Sequence, residues 1–214
     1  FIRFGHFEHF ASRQQWDALR QLADYVIDKH YPECRGSTEF PGNAYAALLQ
    51  AVSERTAKTA AQWQSVGFCH GVLNTDNINI TGESFDYGPY RFAPVWEPAF
   101  TAAYFDQTGL YAFARQPEAV FWNLTQLAGC LKLVADVEPL TQALNGFGPA
   151  YIRELRAAFL MRLGVRSLGE AADQRCVTVP GRAALRVKVD ADKVKLQANR
   201  HAHLGAGTAD LLDQ

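Results

Sequence analysis

The residues best suited to chemistry are concentrated in one stretch, which runs from His70 to Tyr90 and reads HGVLNTDNINITGESFDYGPY. Two short runs in it, Asn77 to Ile80 and Ser84 to Asp86, could form strands on either side of a Thr81-Gly82 turn. The pattern therefore predicts a small β-hairpin with polar loops at its ends. Polar loops on a rigid support commonly carry function.

The spacing within this stretch is similar to that of protein kinases. There, H-R-D-L-x-x-x-N is followed by D-F-G; the first Asp is the catalytic base, and the Asn and the second Asp bind magnesium. His70 and Asn77 keep this offset, and Asp86 begins a D-Y-G sequence. Val72 stands at the base position, where it can neither accept a proton nor orient a hydroxyl. The spacing predicts a metal site without ordinary kinase chemistry.

Asn77 and Asp86 would offer one amide oxygen and one carboxylate, the hard ligands that magnesium binds together with water and nucleotide phosphates. The plainer interpretation is that the cluster from Asn74 to Asn77 only bonds to its own backbone in a turn. Asp76 lies beside the proposed ligand and could take a proton from an attacking hydroxyl. Its alternative role is to orient metal-bound water.

HGVLNTDN and DYGP together resemble the selenoprotein O family of protein-kinase-like pseudokinases, and further segments resemble the same family. These segments are FIRFGHFEHFASR from Phe1 to Arg13, VIDKHYPE from Val26 to Glu33, ERTA from Glu54 to Ala57, WQSVGF from Trp63 to Phe68, and RQPEAVFWNLTQLA from Arg115 to Ala128. The resemblance covers the chain from Phe1 to about Gly164.

The resemblance implies a protein adenylyltransferase, which moves AMP from ATP onto Ser, Thr or Tyr hydroxyls of proteins with Mg²⁺ or Mn²⁺. It implies that Asn77 and Asp86 bind the metal and that Asp76 is the base. It also implies that Arg3 and Asp86 contact the nucleotide, since a planar, permanently charged guanidinium suits ATP phosphates. By charge alone, Arg3 would be expected in a surface salt bridge. His70 is expected to brace the loop.

Two other functions stay open. A catalytically inactive pseudokinase module that binds a partner protein would also tolerate Val72, although Asn77 and Asp86 favour the enzyme. A metal-dependent hydrolase that uses Asp76 and Asp86 would need more ligands than the sequence offers.

A kinase-like nucleotide site also needs a glycine-rich loop and a strand-borne lysine paired with a glutamate. The sequence contains no recognisable segment of either kind, and in the family these parts precede the position of Phe1. We therefore expect a kinase-like C-terminal lobe whose N-terminal lobe is missing, and a chain that by itself is inactive and binds ATP poorly.

Hydrophobic periodicity predicts an α+β, mainly helical fold around the hairpin. The predicted helices are Ser12 to Asp28, with Ser12 and Gln15 as a capping box, Tyr45 to Val66, Pro117 to Leu131, and Tyr151 to Leu163. The predicted core comprises Trp16, Leu19, Leu48, Val52, Trp63, Leu124, Leu127 and Leu131. The stretch from Phe92 to Leu110 has no clear period, and we expect an irregular segment that shapes an acceptor groove.

Composition and charge narrow the partners. The chain has 214 residues, 48% hydrophobic and 20% charged, with a net charge of −1, so it offers no basic field for nucleic acid or anionic lipid. No apolar run is long enough to cross a bilayer. The cysteines, Cys34, Cys69, Cys130 and Cys176, form no C-x-x-C pair, which fits a reducing cytoplasm. The expected partners are ATP and protein substrates, with neither nucleic acid nor membrane.

The sequence changes character beyond about Gly164, where aromatic residues become rare. An alternating run of Leu185, Val187 and Val189 predicts a strand there. We therefore divide the chain into a partial kinase-like domain, 1–164, and a divergent or uncertain extension, 165–214, which we expect to pack weakly. A shifted reading frame would produce the same change.

Overall fold

The computed structural model describes residues 1–169 and 171–173. Within them the chain forms helices and one two-stranded antiparallel sheet. The α-helices are α1 (Phe4–Ser12), α2 (Trp16–His30), α3 (Ala44–Ser65), α4 (Gln116–Leu131), α5 (Val137–Asn145) and α6 (Phe147–Leu163). The strands are β1 (Phe68–Cys69) and β2 (Arg91–Phe92). The mainly helical α+β class predicted from the sequence is therefore confirmed.

Helix α3 lies at the centre and packs against α4, α5 and α6. The Asn43 side chain accepts a hydrogen bond from the Ala46 N–H (3.0 Å) and so caps the first turn of α3. The buried face of this helix combines two adjacent leucines with several alanines, and the small side chains let neighbouring helices approach closely. The buried residues of α3 include Leu48, Leu49, Val52, Ala57, Ala60 and Ala61.

The helices predicted at Tyr45 to Val66 and Pro117 to Leu131 are confirmed as α3 and α4, and α6 begins slightly earlier than predicted. The first predicted helix is wrong at its start, because Ser12 ends α1 and Gln14 has a positive φ of 56° that separates α1 from α2. Gln15 precedes α2 without a side-chain capping bond, so the predicted capping box is absent from this helix. Helices α1 and α5 were not predicted.

Most of the predicted core is confirmed, since Leu19, Leu48, Val52, Leu124, Leu127 and Leu131 are fully buried. Trp63 is partly buried and packs against this core. The prediction is wrong for Trp16, which is 41% exposed because it is the first residue of α2.

The predicted hairpin is formed differently from expectation. Ile78 and Ser84 make a single antiparallel bridge, closed by a turn in which the Asn79 N–H donates to the Glu83 carbonyl (2.8 Å). The two-stranded sheet instead pairs β1 with β2, so that Phe68 lies opposite Phe92. The stretch from His70 to Tyr90 is thus the long loop that joins these two strands.

The stretch after β2 is irregular up to Ala112, as predicted. It packs against the loop at Gly71, where φ is +87° and a Cβ would lie 3.0 Å from Ala102 Cβ. Arg91 of β2, Asp106 and other residues of this stretch line an open pocket of about 500 Å³.

Cys176 and the strand predicted around Val187 lie outside the described residues. So does most of the extension assigned to 165–214. Among the helices of the described part, none combines the length and the apolar character that crossing a membrane requires.

Candidate functional site

The first residues of the chain pair with the long loop between β1 and β2. The Ile80 N–H donates to the Ile2 carbonyl (2.7 Å), and the Phe4 N–H donates to the Ile78 carbonyl (3.2 Å). Arg3 lies between these contacts, in an antiparallel bridge with the loop. This pairing therefore places the Arg3 guanidinium beside the loop, although the two segments are distant in sequence.

Arg3 and Asp76 face each other across this junction. Arg3 Nη1 lies 4.0 Å from Asp76 Oδ1, and the Asp76 side chain is 68% exposed. The Arg3 guanidinium also lies 5.2 Å from the centre of the Phe85 ring. An exposed ion pair of this length adds little stability. The contact therefore shows where the two charged groups lie, but it contributes little to the free energy of folding.

Asn77 and Asp86 form a second neighbouring pair. Asn77 is buried, and its Nδ2 donates to the Asp86 carbonyl at 3.4 Å, whereas Asp86 itself is exposed. No lysine or arginine of the described part forms an ion pair with Asp86, which leaves its carboxylate open to a cation.

This donor set fits a divalent ion that shares its coordination with another molecule. Within residues 1–169 and 171–173, no group of three or more His, Cys, Asp or Glu side chains could hold a metal by itself. One amide and one carboxylate leave most positions of an oxygen-liking cation to water and phosphate. Such a site suits a divalent ion that binds together with a phosphate-bearing molecule.

The turn interpretation of the cluster is correct for one of its members, Asn74. The Asn74 side chain accepts from the Asp76 N–H (2.9 Å), and the Asn77 N–H donates to the Asn74 carbonyl (3.1 Å). Asn74 thus shapes the loop, while the side chains of Asp76 and Asn77 stay available for other contacts.

His70 is buried and braces the loop, as expected. Its Nε2 lies 2.7 Å from Ser84 Oγ, whose hydroxyl donates to the Asn77 carbonyl (2.7 Å). The Val72 N–H points to the other ring nitrogen, Nδ1 (3.3 Å). Burial lowers the pKa of His70 to about 4, although the Asp86 carboxylate acts in the opposite direction. A neutral imidazole is therefore linked through the Ser84 hydroxyl to the backbone of Asn77, the proposed metal ligand.

Helix α4 holds the loop from behind through two buried amides. The Gln116 side chain accepts from the His70 N–H and donates to the Phe68 carbonyl, both at 2.9 Å. Asn123 donates to the Leu73 carbonyl (2.8 Å). Neither amide was predicted from the sequence, and Ser84 was not predicted either. The sequence feature that could have indicated the amides is the presence of polar residues within the apolar stripe of α4.

The turn at the tip of the loop is fixed to the helices. The Tyr31 hydroxyl donates to the Ile80 carbonyl (2.7 Å), and Thr59 Oγ1 donates to the Gly82 carbonyl (2.8 Å). Gly82 has a φ of +93°, and a Cβ there would lie 2.8 Å from Arg55 Cβ. Close approach and backbone conformation both require glycine at this position.

Three of the cysteines lie in the described part, and all three are buried free thiols. Burial raises the pKa of Cys34 to about 11 and that of Cys130 to about 12. Burial also raises the pKa of Cys69. Protonated, buried thiols of this kind serve packing rather than nucleophilic chemistry.

Comparison with known proteins gives a consistent result. Residues 1–197 match the family model described as Protein adenylyltransferase SelO. The chain is also similar to bacterial proteins named Protein nucleotidyltransferase YdiU. The one from Variovorax paradoxus is 44% identical over 211 residues, which cover 98% of this chain and 42% of the relative. The one from Albidiferax ferrireducens is 50% identical over 166 residues, 77% of this chain and 34% of the relative.

A relative from Synechocystis sp. is 45% identical over 173 residues, which cover 80% of this chain and 36% of that protein. The chain therefore spans less than half the length of these curated relatives. The family match continues past Gly164 to residue 197, beyond the point where we expected the resemblance to end. The division into 1–164 and 165–214 stays a prediction.

Proposed function

The chain belongs to the SelO family of protein adenylyltransferases, and from this premise we propose that it forms the metal-binding and acceptor side of such an enzyme. Because it spans 42% of the Variovorax relative, we take it as one part of a longer protein, called the parent enzyme below. The parent would transfer AMP from ATP to Ser, Thr or Tyr hydroxyls of proteins.

The fold assigned to this part is a protein-kinase-like C-terminal lobe. The mainly helical architecture and the long polar loop between two short strands support the assignment. The segment after β2, with its open pocket, would receive the acceptor protein. The buried free thiols agree with a cytoplasmic location.

The proposed roles follow from the two pairs of side chains. Asn77 and Asp86 would hold Mg²⁺ or Mn²⁺, and Asp86 would also contact the nucleotide through that ion. Arg3 would donate to the ATP phosphates, and Asp76 would accept the proton of the acceptor hydroxyl. A bound divalent ion would neutralise charge on the reacting phosphate.

The reaction balances with these groups. The acceptor oxygen forms a bond to the α-phosphorus of ATP while the bond from that phosphorus to the oxygen bridging to the β-phosphate breaks. Pyrophosphate leaves with the bonding electron pair, and the hydroxyl proton passes to Asp76. Arg3 stabilises phosphate charge through a guanidinium that stays protonated throughout.

The observation that carries the proposal is the convergence of these side chains on adjacent loop positions. Residue 76 meets Arg3 at 4.0 Å, and residue 77 contacts the backbone of Asp86 at 3.4 Å. These two contacts support the proposal that Asp76 acts as the base beside Arg3 and that Asn77 and Asp86 supply oxygen ligands in the same loop. Val72, which lies in the same loop, cannot serve as a kinase base.

The test is to supply the parent enzyme with ATP labelled at either the α- or the γ-phosphate and to follow the label into protein. We expect incorporation of the α-label alone. Asp86→Ala should lower it by at least about 10²-fold, because the metal ion that would neutralise charge on the reacting phosphate loses its charged ligand. Asp17→Ala, which removes an exposed carboxylate on α2, is the matched control and should retain activity.

Two outcomes would contradict the proposal. Incorporation of only the γ-label would indicate that the parent enzyme is a kinase. No incorporation of either label under any metal condition would favour the inactive pseudokinase module, which binds a partner protein without transferring a group.

A further inference from the structure

Gly5 and Asp76 approach each other more closely than any side chain at position 5 would allow. A Cβ placed on Gly5 would lie 2.3 Å from Asp76 Oδ1 and 3.2 Å from Asp76 Cγ. Real Cβ atoms do not come this close to a carboxylate. The Asp76 carboxylate therefore occupies the space directly over the bare Cα of Gly5.

Glycine is not required at this position by the backbone. Gly5 lies in the first turn of α1 and does not have a positive φ, so alanine could adopt its conformation. Glycine is less favourable than alanine in a helix. The need at position 5 is therefore for space beside Asp76.

The helix turn around Gly5 and the Asp76 side chain differ in how easily they can move. The α1 turn is fixed, because the Gly5 N–H donates to the Thr75 carbonyl (3.1 Å) and the Phe4 and Phe7 side chains are fully buried. The Asp76 side chain is short and exposed, and its 4.0 Å contact with Arg3 restrains it only weakly. A methyl group at position 5 would consequently displace the carboxylate and leave the helix in place.

We infer that Gly5 is a positioning residue that admits the Asp76 carboxylate to the first turn of α1 and so fixes it beside Arg3. The inference rests on the proposed function, in which Asp76 accepts the proton of the acceptor hydroxyl. Misplacing a reacting group by about 1 Å can cost about 10²-fold in rate. Gly5 would thus affect the reaction through Asp76 without touching a substrate.

The experiment compares Gly5→Ala with Gly129→Ala in the parent enzyme. Gly129 lies in α4, and a Cβ there would meet nothing within 4 Å, so it controls for the same change in a helix. Gly5→Ala should lower kcat for AMP transfer by about 10- to 100-fold, with unchanged melting temperature and unchanged metal-dependent binding of a non-hydrolysable ATP analogue. Gly129→Ala should match the wild type.

The double variant Gly5→Ala/Asp76→Ala separates a positioning role from a structural one. Because both changes remove the same group from the same place, the double variant should be no slower than Asp76→Ala alone. Rate losses that multiply would overturn the inference. A kcat for Gly5→Ala within twofold of the wild type would do the same, as would a parallel loss of nucleotide affinity.

Crystal structures of the wild-type and Gly5→Ala parent enzymes give a readout that does not depend on the reaction. We expect the Asp76 carboxylate to rotate away from α1 in the variant while the bond from residue 5 to Thr75 is kept. A carboxylate that stays in place would overturn the inference. If Asp76→Ala is as active as the wild type, the proposed role of Asp76 fails, whereas the crystal structures still decide the positioning by Gly5.

Discussion

At the scale of single residues, His70 shows how the loop depends on an uncharged ring. The Val72 N–H points to Nδ1, so the network assigns the ring proton to Nε2, which donates to Ser84 Oγ. Protonation would place a proton on Nδ1 against that N–H, on a side chain that is fully buried. The depressed pKa of about 4 reflects this burial.

The first prediction is a pH dependence of stability. A histidine whose pKa falls from 6.5 unfolded to about 4 folded contributes stability that is complete above pH 6.5 and is lost as the pH falls towards 4. The loss should be about 3 kcal/mol. Denaturant unfolding of wild type and His70→Gln in metal-free buffer should show a stability difference that shrinks over this range. Parallel curves would contradict the prediction.

The second prediction concerns Ser84, which joins His70 to the Asn77 carbonyl. Ser84→Ala leaves a buried N–H and a buried carbonyl without a partner, which should cost about 2 kcal/mol or more of unfolding free energy. Ser65→Ala, which removes a hydroxyl bonded to the Gln62 carbonyl at an exposed position, should cost much less. Equal costs in urea unfolding would show that the buried bonds do not matter.

At the scale of elements, helix α4 is the rigid support of the loop. Gln116 begins the helix and spans from β1 to His70, and Asn123 reaches the Leu73 carbonyl two turns later. Both side chains are fully buried. At His70 and Leu73, the backbone of the loop therefore completes its hydrogen bonds with side chains of α4 rather than with a neighbouring strand.

The third prediction is that Gln116→Leu destabilises the protein by about 2 to 4 kcal/mol, because the Phe68 carbonyl and the His70 N–H both lose a buried partner. Gln62→Leu on the exposed face of α3 is the matched control and should change the unfolding free energy by less than about 0.5 kcal/mol. Chemical denaturation of the two variants beside the wild type measures the difference. A cost for Gln116→Leu as small as the control would refute the anchoring role.

The elements that could be predicted are those whose apolar stripe lasts several turns. Helices α3 and α4 repeat their buried residues over 22 and 16 positions, which fixes the period without any tertiary information. Helix α1 is too short for this, since only Phe4 and Phe7 are buried. The predicted hairpin is reduced to the single bridge between Ile78 and Ser84. Its first leg bonds instead to Ile2 and Phe4, and its turn bonds to Thr59 of α3, which are contacts between segments distant in sequence.

The residues of the candidate site also differ in how far the sequence alone indicates them. Kinase-like spacing was enough to select Asn77 and Asp86, because both lie in one loop. Asp76 was proposed from its place beside Asn77, whereas the role of Arg3 came only from family resemblance. The contact of Gly5 with Asp76 could not be predicted, since neither residue type indicates a close approach. Such contacts depend on how α1 is seated against the loop.

At the scale of the whole molecule, the proposed roles give the chain only part of what a nucleotide needs. It spans 42% of the Variovorax relative, and the proposal draws on two oxygen ligands, Asn77 and Asp86, and on the guanidinium of Arg3. A triphosphate carries more charge than these groups can neutralise. Further phosphate donors would have to come from the remainder of the parent enzyme.

The fourth prediction is that the chain by itself binds ATP poorly even with Mn²⁺ or Mg²⁺. Each missing charge-assisted hydrogen bond to phosphate removes about 1.5 to 3 kcal/mol, so the loss of two should raise the Kd by at least about 10²-fold relative to the parent. Calorimetric titration of the chain and of the parent enzyme under the same metal conditions measures this ratio. The residual binding of the chain should still depend on metal and should disappear in Asp86→Ala, while Asp17→Ala keeps it. Equal affinities of chain and parent would mean that the loop between β1 and β2, together with Arg3, already holds the nucleotide without help from the rest of the protein.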